Sequence, residues 1–78
     1  VEGALPVQIP YLIDMANDIG AFFASEPDME TAARGVAAHL RRSWEPRMRR
    51  EIVEHYVAGG TGLREPARAG VALLAQNS

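Results

Sequence analysis

The chain has 78 residues, the size of one small domain, and a formal net charge of −2 at pH 7. It contains no cysteine, which excludes disulfides, zinc–thiolate sites and iron–sulfur ligation by this chain. All eight basic residues are arginines, and the acidic balance weighs against a dedicated nucleic-acid-binding protein, which is usually basic overall.

A domain this short has a small core and is usually stabilised by disulfides, a metal or a partner. Disulfides are excluded, and the only histidines, His39 and His55, lie far apart in the sequence. We therefore expect a partner surface. No apolar run approaches the roughly 18 residues of a membrane span, and residues 1–10 lack a signal-peptide pattern. These two features predict a cytoplasmic protein that does not bind membranes.

Residues 1–9 are predicted to form an irregular arm, because Pro6 and Pro10 disfavour helix at the residues before them. A first helix is predicted over about residues 10–24, where apolar side chains recur at steps of three and four. These side chains are Leu12, Met15, Ala16, Ile19, Phe22 and Phe23. Asn17 is predicted to fall on the opposite, polar side. Gly20 weakens a helix by up to about 1 kcal/mol relative to alanine, and close approach of another backbone would explain it.

Three further helices are predicted, at about 29–43, 46–58 and 66–75. Asp28 can cap the second, Pro46 can only begin the third, and Gly59 and Gly60 can end the third in left-handed conformations. Apolar faces of helical period recur in each of them, and no alternating strand pattern competes. Residues 10–78 are thus predicted to form one all-α domain of four short helices joined by Pro/Gly turns.

Residues 40–50, LRRSWEPRMRR, hold five arginines around the bend between the second and third helices, and we call them the arginine corner. Arg41 complements the dipole at the end of the second helix, whereas Arg47 and Arg50 can reach glutamates one turn away. The corner could therefore be a solvated, self-paired face or a docking surface, and nucleic acid is a weaker alternative.

Aromatic residues offer a similar choice. Trp44, the only tryptophan, could anchor the corner in the core or act as an interface hot spot. Phe22 and Phe23 are adjacent and point about 100° apart on a helix. Either both lie in the core, or one faces the core and the other a groove edge or a partner.

Catalysis has little support in the sequence. Neither histidine has a nucleophile or a matching carboxylate at a recognisable spacing. The run Gly59-Gly60-Thr61-Gly62 resembles a phosphate-binding loop only loosely, since it lacks the lysine and a preceding strand. A helix end followed by a turn explains it. No catalytic, cofactor-binding or metal-binding residue is predicted.

Several segments resemble the delta subunit of NAD-dependent formate dehydrogenase. These are LIDMANDI at residues 12–19 with FFAS at 22–25, VAAHL at 36–40, WEPRMR at 44–49 and GGTGL at 59–63. The WEPRMR run is the specific part, and the resemblance covers about residues 11–75.

The resemblance implies a non-catalytic accessory subunit of a cytoplasmic complex that oxidises formate to carbon dioxide and reduces NAD. In that family the alpha subunit carries a molybdenum or tungsten pterin cofactor and iron–sulfur clusters. The beta and gamma subunits carry FMN and further clusters. The delta subunit binds none of these groups and is expected to stabilise the alpha subunit or help it mature.

On this interpretation we hypothesise that Trp44 and Met48 hold the backbone of the corner in place. The guanidinium groups of Arg47 and Arg49 then donate hydrogen bonds to acidic groups or carbonyls of the alpha subunit. Arg41, Phe22 and Phe23 complete the predicted interface. The spacing does not tell which arginines turn inward to cap the neighbouring helix. Two alternatives remain: a free-standing helical domain that self-associates, and a small nucleic-acid-binding module.

Overall fold

The computed structural model describes residues 8–76 and confirms the all-α class. Its helices are α1 (Ile9–Phe23), α2 (Met29–Ser43), α3 (Pro46–Val57) and α4 (Ala67–Gln76), and residues 8–76 contain no strand. Each predicted boundary lies within one residue of the observed one. Most of the predicted arm, residues 1–7, lies outside the described residues. Between residues 8 and 76, no helix combines the length and the apolarity needed to cross a bilayer.

The predicted helix ends are confirmed by their hydrogen bonds. The Asp28 carboxylate accepts the backbone N–H of Thr31 at 2.8 Å and so caps α2. That hydrogen bond is the main cause that lowers the pKa of Asp28 below its ordinary 3.8. After α3, Gly59 (φ 131°) and Gly60 (φ 67°) adopt positive φ values that favour glycine.

All four helices contact one another, and α2 packs most extensively against α4. Close approach depends on two glycines. A Cβ at Gly20 would lie 2.8 Å from the backbone nitrogen of Ala67, and one at Gly70 would collide with the side chain of Val36. The core between the helices consists of Leu12, Ala16, Val36, Ala37, Leu40, Trp44, Ile52, Leu63, Ala67, Val71 and Leu74.

Asn17 corrects the sequence-based prediction, which placed it on the polar side of the first helix. Asn17 is only 8% exposed to solvent. The side-chain amide donates to the carbonyl oxygen of Gly62 and accepts the backbone N–H of Arg64, both at 2.9 Å. The segment between α3 and α4 covers this flank of α1, and Asn17 satisfies two of its backbone groups. A buried asparagine is tolerated here because both functions of its amide are paired.

Candidate docking surface

Trp44 fixes the arginine corner from inside. Its backbone N–H donates to the carbonyl oxygen of Leu40 at 2.9 Å, and its extended backbone (φ −93°, ψ 143°) turns the chain out of α2. The side chain is 5% exposed and belongs to the core. The interpretation of Trp44 as a core anchor is therefore confirmed, and little of its surface remains for a partner.

Arg49 turns inward and caps the preceding helix. Its Nη1 donates to the carbonyl oxygen of Arg41 at 3.2 Å and also to that of Trp44. The last carbonyl groups of a helix lack intrahelical hydrogen-bond donors and form the negative end of the helix dipole. A guanidinium at this end donates hydrogen bonds to those carbonyls and also interacts favourably with the dipole. The structure thus answers the question that the spacing left open, since Arg49 binds carbonyls of its own chain.

Other arginines of the corner face solvent. The Nε of Arg47 lies 3.4 Å from a carboxylate oxygen of Glu51, the predicted pair one turn apart. Arg41, Arg42 and Arg50 are exposed and form no ion pair with any described residue. The corner therefore consists of one inward cation, one paired cation and three outward cations. Met48 is half-buried and packs against the core.

The two adjacent phenylalanines have different environments. Phe23 packs against the core and over Gly35, whereas Phe22 is 77% exposed. Their rings meet edge to face, with centroids 5.1 Å apart and planes at 87°. The alternative of two core residues is therefore wrong, and Phe23 is the one that faces the core. That Phe22 faces a groove edge or a partner stays a prediction.

The structure does not bring these aromatic rings to the arginine corner. Phe22 lies at the end of α1, just before the turn into α2, whereas the corner follows the end of α2. The 15 residues of α2 form a helix about 22 Å long, and this helix separates Phe22 from the corner. The predicted interface residues therefore form two separate surfaces.

The glycine-rich segment is a helix end and a turn, as predicted. The guanidinium of Arg68 donates to the carbonyl oxygens of Gly60 and Gly59, each at 3.1 Å, and lies 5.4 Å from the ring centroid of Tyr56. The Nε2 of His55 lies 2.7 Å from the carbonyl oxygen of Thr61, which can only accept, so that nitrogen carries a proton in this contact. The carbonyls of Gly59 and Gly60 thus accept from the guanidinium of Arg68 within the same fold.

Residues 8–76 contain no group of three or more His, Cys, Asp or Glu side chains that could hold a metal ion. His39 is half-buried on α2.

Sequence reasoning missed a groove that the structure assembles from three helices. We call it the arginine groove, and its volume is about 500 Å³. The lining residues are Arg41 of α2, Pro46, Arg49, Arg50, Val53 and Glu54 of α3, and Leu74 of α4. The arginine pattern could have suggested Arg50, but no local signal places Leu74 beside it.

The fold and these surfaces define a small helical protein with cations at a bend and no recognisable catalytic constellation in the part that the structure describes. The family model described as NADH-dependent formate dehydrogenase delta subunit FdsD matches residues 11–71. The match spans most of the chain, and the protein belongs to this family, so that it is a formate dehydrogenase delta subunit. The resemblance found in the sequence is thereby confirmed. No curated protein and no solved structure matches this chain significantly.

Proposed function

We propose that this chain is a non-catalytic accessory subunit of a cytoplasmic NAD-dependent formate dehydrogenase, in which formate and NAD⁺ give carbon dioxide and NADH. It stabilises the alpha subunit or assists its maturation. The family match over residues 11–71 is the observation that carries this proposal.

The proposed division of labour follows from side-chain chemistry. Iron–sulfur clusters are held mainly by thiolates, and this chain has no cysteine. We assign the metal–pterin cofactor and clusters to the alpha subunit, and FMN and further clusters to the beta and gamma subunits. The delta subunit then contributes through binding free energy alone.

A small helical domain is suited to that role when its surface is rigid before binding, because less conformational entropy is lost on association. At the arginine corner, the buried ring of Trp44 and the hydrogen bonds of Arg49 hold the backbone from inside. Arg41 and Arg47 then project from a fixed bend. Phe22 is exposed at the end of α1, just before the turn into α2, and offers a second, apolar contact.

The test is a pull-down of the tagged full chain from its native cells. The co-purifying proteins are identified by mass spectrometry, and formate-dependent NAD reduction is assayed in the eluate. Recovery of the large subunits with activity supports a resident subunit. Recovery of the alpha subunit alone, inactive and without its cofactor, supports a maturation role.

An eluate that contains only the tagged chain would overturn the proposal. Size-exclusion chromatography of that eluate then tests the self-associating alternative, since a dimer would elute ahead of the monomer. Cells that express the tag on an unrelated small helical protein provide the control for non-specific recovery.

A further inference from the structure

We infer that the arginine groove is the site at which this subunit binds an acidic segment of a partner subunit, with an apolar side chain of that segment in the floor of the groove. The inference rests on the proposed function and deepens it, because it names the binding site and the chemistry of its occupant.

The shape of the groove suits a short peptide segment. Its volume of about 500 Å³ has room for a few side chains but not for a folded element. The walls come from the end of α2 and from α3, and Leu74 of α4 contributes to the lining. Val53 is half-buried against the core, so an apolar surface is already in place within the groove.

The charge of the groove is opposite to that of the protein. Three arginines line it against one acidic residue, Glu54, although the whole chain carries a formal charge of −2. Arg41 and Arg50 pair with no carboxylate among residues 8–76. Arg49 uses only Nη1 for its two carbonyl contacts, which leaves its remaining N–H groups without a described partner. Guanidinium groups in this arrangement match carboxylates, to which they can donate in pairs.

The same features favour a protein segment over nucleic acid. A nucleic-acid site is usually a broad basic stripe that follows a phosphate backbone. This groove is short, has Val53 and Leu74 in its lining and contains Glu54. A carboxylate beside an apolar anchor complements the cations and the apolar lining together, whereas a phosphate backbone would leave the apolar part unused.

Two double variants separate the effect of the groove arginines on binding from the effect of the overall charge. Arg41→Glu with Arg50→Glu reverses the outward cations of the groove. Arg42→Glu with Arg64→Glu is the matched control, since both residues are exposed, form no ion pair with another of residues 8–76 and lie outside the groove lining. Each substitution changes the charge by −2, so each pair takes the formal net charge from −2 to −6. Circular dichroism of both variants checks that the helices remain.

The probe is formate dehydrogenase complex purified from cells that lack this chain, and its affinity for each full-length variant is measured at two salt concentrations. The groove variant should bind at least about tenfold more weakly than wild type, and the control less than about threefold more weakly. Equal losses in the two variants, or no loss in the groove variant, would overturn the inference. A wild-type chain that binds neither this complex nor the isolated, cofactor-free alpha subunit would overturn the proposed function itself, before any variant is compared.

Cross-linking identifies the occupant. Because the chain has no cysteine, Glu54→Cys provides a unique attachment point for a benzophenone in the groove wall, and Thr61→Cys, exposed on the segment between α3 and α4, is the control. We expect the groove probe to capture a peptide rich in Asp and Glu from a large subunit. Capture of a basic segment, of RNA or of a second copy of this chain would overturn the inference.

Discussion

Replacing the buried Asn17 tests how α1 is joined to the segment between α3 and α4. Asn17→Leu keeps the number and branching of the side-chain heavy atoms but removes both hydrogen bonds, to the carbonyl of Gly62 and the N–H of Arg64. A buried polar group that loses its partner costs about 1–3 kcal/mol. Both hydrogen bonds are only partly buried, so the lower end of this range applies to each. We expect a loss of about 2 kcal/mol in the free energy of unfolding.

The assay is urea denaturation of the isolated chain followed by two signals. Trp44 is the only tryptophan and is buried, so its fluorescence reports the core, while circular dichroism reports the helices. For a domain of this size the same loss should lower Tm by about 8–16 °C. Asp18→Asn, at the exposed neighbouring position, serves as control and should change stability by less than about 0.5 kcal/mol.

The reasoning fails if Asn17→Leu unfolds at the same urea concentration as wild type. Such a result would mean that water replaces the two hydrogen bonds without loss. Asn17→Ala then separates packing from hydrogen bonding, because it removes volume as well. We expect it to be less stable than the leucine variant.

Three further predictions concern helix packing and helix ends. Gly20→Ala should lower the free energy of unfolding by about 1 kcal/mol or more in urea denaturation, because overpacking against the backbone of Ala67 outweighs the gain in helix propensity; a stabilised variant would contradict this. Asp28→Asn should remove a pH-dependent contribution to the free energy of unfolding. Because the pKa of Asp28 is lowered in the folded state, the wild-type carboxylate stabilises the fold above pH 3.8. This contribution disappears as the pH falls through the lowered pKa. Parallel pH–stability curves for wild type and variant would refute it. Arg49→Ala should cost about 1–2 kcal/mol and shift the fluorescence of the corner tryptophan, whereas Arg42→Ala should do neither.

The inward position of Arg49 changes how charge variants of the corner are interpreted. A substitution of this residue would weaken complex assembly even if it made no contact with a partner, because it releases the end of α2. Arg41 and Arg50 are better probes, since both are exposed and neither forms an ion pair within residues 8–76. A loss of affinity in those variants reports the surface itself.

Much of the secondary structure could be predicted because its causes are local. Pro46 excludes continuation of α2, Asp28 caps the helix that follows it, and Gly59 and Gly60 permit the positive φ values that end α3. Each boundary depends on residues within one turn of it. The requirement for glycine at position 20 was also visible as a cost in helix propensity, although its contact, Ala67, was not.

By itself, the sequence determined the four helices, their apolar faces and the motifs that place the chain in its family. Only the tertiary structure decided which residues at the edges of those faces are buried. Asn17 lies inside because a loop 45 residues further along the chain supplies its partners, and Phe22 lies outside because no element within residues 8–76 covers it. The arginine groove depends on Leu74 of α4 reaching the bend after α2. Helical periodicity orients a residue relative to its own axis, whereas burial and grooves depend on how distant helices pack.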